Sequence, residues 1–470
     1  MQTLRWLLLV LCAGCVRIPE NEGRCALMPT PSVNVQDALH NGPFVSGDFP
    51  ACSWWEEWDD PQLDELIAIA LADNPSLKQA EARLQTAEQD AKIKRASLFP
   101  MLGLGGEANL QHLAKNGFFR AFAPSIPAGV NEYTLELNFS YEFDFWGKNR
   151  NIFQAALGLS KAAEAEAAGV RLIISTAVAA AYFQYQADLQ KFTLAKNQYE
   201  LTKKRSRLTQ LRSGGALDDN TALFDADATL LLQQKLLLLA EQSLLIDEHE
   251  LNMLLGRGPD CPLDLEAHPL PSRATVALPT QLSCDLLARR PDLSAQIHRV
   301  EAAAHLIGAA KADFYPSVDL MALAGLDTVF IRRIFTWNSV AAVAAPAFNL
   351  PIFTAGRLRA QLRQKEALFQ EAVEGYNTLL LQAVREVADQ IVLLQKADEQ
   401  LIVQESVLRK REETNALAKR RFEVGLRGAF DPIDAELALL NQEWGLIDQA
   451  FIRTYSALKL IQALGGGFNG

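Results

Sequence analysis

From Tyr133 to Phe145 the chain alternates without a break. Tyr133, Leu135, Leu137, Phe139, Tyr141, Phe143 and Phe145 fall on one parity; Thr134, Glu136, Asn138, Ser140, Glu142 and Asp144 fall on the other. Side chains of a strand point to opposite faces in turn, so the pattern predicts a long strand with one apolar face and one polar, acidic face. A second period dominates elsewhere. Leu77, Ala80, Leu84, Ala87 and Ala91 recur at three-four spacing and predict an amphipathic helix that Pro100 stops. Val373, Tyr376, Leu380, Ala383, Val387, Ile391 and Leu394 hold that spacing over several heptads. The helical stretch from Arg150 to Arg212, about 60 residues, would form a rod of roughly 90 Å at 1.5 Å per residue.

The chain is written twice. "NPSLKQAEARLQTAEQDAKIKRASLFP" (74–100) aligns with "RPDLSAQIHRVEAAAHLIGAAKADFYP" (290–316), matching Pro75 to Pro291, Arg95 to Lys311, Phe99 to Tyr315 and Pro100 to Pro316. "FDFWGKNR" (143–150) corresponds to "LPIFTAGRLR" (350–359), and "RSGGALDDNTALFDAD" (212–227) to "EVGLRGAFDPIDAE" (423–436). The pieces keep one order, which is the signature of a tandem duplication. Each half predicts a helix, two strands, a very long helix, a Gly-containing turn and another helix. The strands are expected at 101–113 and 132–145, then at 317–327 and 337–350. Pro346 interrupts the last of them and predicts a local bend. The organisation expected is a signal peptide (1–14), an extended segment (15–57), a first repeat (58–256, long helix pair 150–256), a Pro-rich linker (257–283), a second repeat (284–464, long helix pair 357–464) and a flexible tail (465–470).

Composition narrows the function. Among 470 residues, 49% are hydrophobic and 21% charged, a globular balance. A net charge of −11 argues against a nucleic-acid partner, which needs a basic patch for the phosphates. No window reaches the roughly 18 apolar residues of a membrane-spanning helix; "LLLQQKLLLL" reads as a buried seam. The N-terminus, "MQTLRWLLLVLCAGC", has a basic residue, a short apolar run and small residues before Cys15. That is an export signal ending in a lipobox, with Cys15 as the acylated first residue of the mature chain. Cys12 stands where such signals usually carry Leu, and Val16 rather than Asp follows Cys15, so nothing signals inner-membrane retention. Four cysteines remain, Cys25, Cys52, Cys261 and Cys284. Short loops favour Cys25–Cys52 and Cys261–Cys284 bridges, and four buried thiols are the alternative.

An exported chain offering four strands in two hairpins, hemmed by long helices, poses a problem. Four strands cannot close a barrel, and an open edge is forbidden in lipid. Several copies could close one sheet together. The apolar row would then meet lipid and Glu136, Asn138, Glu142 and Asp144 would line a water-filled lumen. Spanning a bilayer at a tilt takes about 9–11 residues per strand, which accounts for the length.

With "FDFWGKNR", "LPIFTAGRLRAQ" and "RRFEVGLRGAFDPIDAE" in this order, the chain from Trp58 to Gly465 resembles the outer membrane factor family, the TolC- and OprM-like efflux channels, in particular the NodT-type lipoproteins. The resemblance implies a mainly α fold with a membrane β-barrel part: tandem-duplicated helical hairpins forming an α-helical tunnel, four transmembrane strands per chain and a homotrimeric twelve-stranded barrel. It implies a lipid-anchored lipoprotein, palmitate included, in the bacterial outer membrane, extending into the periplasm. Its function would be passive export of drugs or other small molecules. The partners implied are a periplasmic adaptor (membrane fusion) protein, an inner-membrane transporter of RND, ABC or MFS type, and outer-membrane lipid. A type I protein secretion channel and a non-conducting coiled-coil scaffold are the alternatives.

The resemblance also places a periplasmic gate at the turn between the second long helices, with Asp431 and Asp434 facing inward and Arg427 latching the closed end. A ring of carboxylates around a narrow axis repels itself and attracts cations. Read locally, Asp431 before Pro432 is also a helix start, with Asp431 as N-cap and Asp434 in the first turn. Lys203, Lys204, Arg205 and Arg207 read as a solvated face near a helix end, with an adaptor-docking patch as the alternative. Catalytic and cofactor motifs are missing: there is no HExxH, His298 and His305 read as surface residues, and Gly103, Gly105 and Gly106 precede a strand rather than a helix. No enzyme, metal or cofactor is expected.

Overall fold

In the computed structural model of the chain, residues 26–29, 31, 42–215, 220–271, 276–279 and 289–469 are described. Cys15, Cys25, Asp218, Asp219 and Cys284 lie outside them. In chain order the elements are β1 (Phe44–Ser46), α1 (Pro61–Asp73), α2 (Pro75–Ala96), β2 (Met101–His112), α3 (Phe118–Phe122), β3 (Gly129–Phe143), α4 (Lys148–Gly214), α5 (Asn220–Leu254), β4 (Val276–Leu278), α6 (Pro291–Ala312), β5 (Ser317–Thr328), β6 (Val340–Asn349), α7 (Arg357–Glu423) and α8 (Phe430–Ala463). The duplication is visible in their lengths. The helices α2 and α6 have 22 residues each, the strands β2 and β5 have 12 each, and α4 and α7 have 67 each.

Two compact units are present, one built on Gln85–Ala162 and Gln296–Gly375, the other on Met28–Leu84, Ala163–Ala295 and Tyr376–Gly470. The first contains an antiparallel four-stranded sheet in the order β2-β3-β5-β6. Beside it Ala310, Phe314, Leu358 and Leu362 form a small core between α6 and the start of α7. Strand and long helix join at Gly147 (φ 75°) in one repeat and Gly356 (φ 87°) in the other, a left-handed turn that favours glycine. The interruption expected at Pro346 is not there: β6 runs unbroken through it, with Pro346 opposite Leu320, and as an outer strand of the sheet it can hold a proline. The strand begins later than expected, because Trp337–Ser339 forms a 3₁₀ turn.

Apolar packing of helices holds the second unit. Trp54, Leu63, Ile67, Val178, Tyr182, Leu251, Leu255 and Leu458 are among its buried members. Asp60 starts α1 by accepting from Gln62 N and Leu63 N, with Pro61 in the first helical position, and takes the Tyr182 hydroxyl at 2.7 Å. All seven α7 positions from Val373 to Leu394 that carry the three-four spacing are buried. One expectation is corrected here. Helix α4 does contain a window apolar and long enough to cross a membrane. One face of that helix packs into the helical cluster through Ile174, Val178, Ala179, Tyr182, Phe183 and Tyr185, while Ile173 is exposed, so its apolar residues serve packing along one side. A second correction concerns the tail, expected to be flexible. Gly465 and Gly467 are buried at positive φ, and a Cβ on either would collide with backbone of Arg289 or of Ala51 and Cys52.

Candidate channel-lining sites

The sheet keeps one register across all four strands. Leu104, Leu137 and Ala324 lie in one row, and Gly105, Glu136 and Gly325 in the next. The apolar face carries Leu102, Leu104, Ala108, the Tyr133 to Phe143 row, Val318, Leu320, Leu326 and Phe348. Every Asp and Glu in the strands falls on the other face: Glu107, Glu132, Glu136, Glu142, Asp319 and Asp327. No Lys or Arg occurs in any of these strands. Because β3 pairs with β5, the two hairpins merge into one sheet whose outer strands, β2 and β6, have one neighbour each among the described residues.

Aromatic side chains crowd both ends of the sheet. At the helical end Trp146 stacks on Tyr315 (4.6 Å) and donates to the Pro316 carbonyl, while Phe143 stacks on Phe145. At the loop end Phe118, Phe122, Phe335 and Trp337 are exposed. Two such belts flanking an apolar band are what a bilayer interface selects. Asp144, expected with the lumen-facing carboxylates, lies one residue beyond β3. Its carboxylate accepts from Asn149 N (3.1 Å) and Arg150 N (2.8 Å) and so caps α4. Lys148, at the same junction, is partly buried. That alone would lower its pKa, but Asp313 at 3.1 Å outweighs burial and raises it.

In the helical unit, the turn after α7 is exposed from Val424 to Gly428 and includes Arg427. The residue capping α8 is Ala429 rather than Asp431; Asp431 lies within the first turn, where a carboxylate suits the helix dipole. Asp434 accepts from Arg205 Nε at 2.7 Å, and Arg205 and Arg212 both lie over the Phe430 ring. Arg205 was expected on a solvated face, and its sequence neighbourhood gives no hint of this contact.

The contact belongs to a series. Lys191, Gln198 and Arg205 of α4 meet Asp448 (2.6 Å), Asn441 (3.1 Å) and Asp434 of α8. Each side advances by seven residues, in opposite chain directions. Helix α4 also meets α5 along this stretch, through Gln198 with Gln233 and Ser206 with Asp227. Where Lys191 sits, α5 presents Asp247 to Asp188. Burial foremost, then the Asp188 charge, pushes the Asp247 carboxyl up to about 7. Burial would lower the Lys191 pKa, yet Asp448 and Asp188 raise it.

Among the described residues no group of acids, histidines and cysteines could hold a metal ion, and Cys52 and Cys261 are free thiols. His298 meets Glu301 and His305 meets Asn151.

The family profile described as "Outer membrane efflux protein" matches residues 66–257 and 282–466. The multidrug resistance outer membrane protein MdtP of Escherichia coli strain K12 is 29% identical over 464 residues, covering 97% of this chain and 94% of MdtP. The toluene efflux pump outer membrane protein TtgF of Pseudomonas putida is 30% identical over 420 residues, covering 89% and 86%. Among solved structures, the outer membrane protein VceC of Vibrio cholerae superposes with a TM-score of 0.78 at 34% identity, covering 90% of this chain and all of VceC.

Proposed function

This chain belongs to the outer membrane efflux protein family, and we propose that it works as a passive conduit assembled from several copies of itself. As an outer-membrane efflux component it serves a multi-part pump. The proposal adds the geometry: copies join β2 of one to β6 of the next, the apolar face meets lipid, and Glu136, Asn138 and Glu142 line the lumen. A single observation carries this. One sheet has an uncharged face, all its acids on the other, and two unclosed edges. Closure is obligatory in a bilayer, so one copy is insufficient. Helix α5 adds support, with Leu231, Leu238 and Leu245, and Leu232, Leu239, Ile246 and Met253, exposed at seven-residue steps that suit a neighbouring helix. The family resemblance favours three copies.

Asp431 and Asp434, with Arg427, form the periplasmic constriction in this reading, and Arg205 holds Asp434 in the closed arrangement. Relatives named for multidrug resistance and toluene efflux favour small organic molecules over secreted protein as cargo. A periplasmic adaptor and an inner-membrane transporter supply the coupling and the energy. Cys15 is the acylation site; mass spectrometry of the membrane-extracted chain would show the lipid or an unmodified N-terminus.

Conductance in a planar lipid bilayer tests the conduit. Small cation-selective currents that grow in Asp431→Ala/Asp434→Ala support the channel and its constriction. Currents indifferent to the pair reduce those aspartates to helix-end charges. No current from folded, membrane-inserted protein leaves a non-conducting scaffold as the reading.

A further inference from the structure

The charges of the sheet unit are sorted by height. Within the strands every Asp, Glu, Lys or Arg is acidic. In the two segments linking the strands at the end away from the helices, every one is basic: Lys115 and Arg120 between β2 and β3, Arg332 and Arg333 between β5 and β6. Both segments emerge at the same end, since His112 pairs with Gly129 and Leu326 with Val340. None of the four forms an ion pair among the described residues. The Arg120 side chain makes a single long bond to the Leu113 carbonyl and leaves its Nε buried without a partner. The second segment is ordered by its own bonds. Thr336 and Ser339 hydroxyls donate to the Arg333 carbonyl at 2.7 and 2.8 Å, and the Arg333 guanidinium lies over Phe330.

Interleaved with these cations is exposed apolar surface. Phe118, Phe122, Phe330, Ile331, Phe335 and Trp337 are each at least half exposed, and Trp337 is 87% exposed. An apolar patch rimmed by charge of one sign marks an interaction surface. Water alone explains the cations but not the rings; a bilayer core explains the rings but not four unpaired cations.

We propose that these two segments form a docking surface for lipids with phosphate-bearing headgroups in the outward-facing leaflet, the rings entering the acyl region and Lys115, Arg120, Arg332 and Arg333 taking the phosphates. Arginine suits this chemistry because its planar fork binds a phosphate through two parallel bonds. Basic residues at an anionic membrane surface act additively, so the four reinforce one another. The proposal rests on the sheet spanning the membrane with its helices on the inner side. It does not rest on the conduit being open or on the identity of the cargo.

The test uses the full-length purified protein in phosphatidylcholine vesicles with and without bisphosphorylated lipid A. Native mass spectrometry and thermal melting read retained lipid and assembly stability. Wild type is expected to retain lipid A and to melt higher in its presence. Arg332→Gln/Arg333→Gln should weaken that binding by on the order of tenfold while leaving conductance in plain phosphatidylcholine unchanged. A second variant, Lys115→Gln alone on an exposed position, should weaken it by a smaller factor and guards against loss of folding. Equal binding by the double variant, equal binding of dephosphorylated lipid A, or the same stabilisation by inorganic phosphate would each overturn the proposal. A protein that binds lipid A in this charge-dependent way but never conducts would sink the conduit and spare this surface.

Discussion

Arg205 Nε donates to Asp434 across 2.7 Å, joining residues 229 positions apart on α4 and α8. The bond ties the start of α8, one turn beyond Asp431, to the long helix of the first repeat, so α8 cannot move away from α4 there without breaking it.

Both partners of that bond are partly solvated, so its loss should cost little stability, under about 1 kcal/mol. Arg205→Ala is therefore expected to leave the melting temperature nearly unchanged while increasing single-channel current or opening frequency. Adding Asp434→Ala to it should raise the current no further, because either change removes the same contact. A melting temperature that collapses would make the pair a fold determinant instead.

A pH dependence follows from Asp247, whose folded carboxyl titrates near 7 against an ordinary 3.8. The folded protein holds that proton more tightly than the unfolded chain. Its contribution is therefore fully present in acid and is lost as pH rises from about 4 toward 7. Asparagine is neutral throughout, so Asp247→Asn should melt higher than wild type at pH 8, by on the order of 2 kcal/mol in stability. The gap should close as pH falls toward 4. Parallel melting curves at every pH would refute this.

The apolar row of β3 should tolerate no charge. Leu135 sits between Gly106 and Leu326 on that face, so Leu135→Arg is expected to cost about 2–4 kcal/mol and block membrane insertion. Thr134→Arg, one residue away on the opposite face, should insert normally and reduce cation preference. Heat-resistant electrophoretic migration of extracted protein distinguishes the two.

The C-terminal glycines should be intolerant of any side chain. A Cβ at Gly465 would strike the Arg289 carbonyl and one at Gly467 the Ala51–Cys52 backbone. Each already holds a left-handed φ, so Gly465→Ala and Gly467→Ala are each expected to destabilise by about 2–4 kcal/mol in chemical denaturation.

Local periodicity made much of this fold legible. The alternation from Tyr133 to Phe143 needed no tertiary information, because a strand's period of two is set by its backbone. The α7 positions from Val373 to Leu394 were likewise readable, since one buried stripe decides where each falls. The glycine tail was not legible: "GGGFNG" reads as flexible until Arg289 and Ala51 are brought against it. Asp144 was read with the strand because its parity fits, while its role depends on where α4 begins. Arg205 was hidden for a related reason. Its immediate neighbours Lys203 and Lys204 suggest a solvated run, and only the seven-residue step from Lys191 and Gln198, matched on α8, marks it out.

That step also limits how the chain can change length. An insertion in α4 of anything but whole heptads would rotate every later residue away from α8 and put Asp434 out of reach of its arginine. A seven-residue insertion, roughly 10 Å of helix, would have to be answered by another in α8. Equal lengths of 67 residues in α4 and α7 extend the constraint to the second repeat. Descendants of this chain should therefore vary in helix length by discrete, coordinated jumps, and isolated one- or two-residue indels should be confined to the linker and the strand-connecting segments.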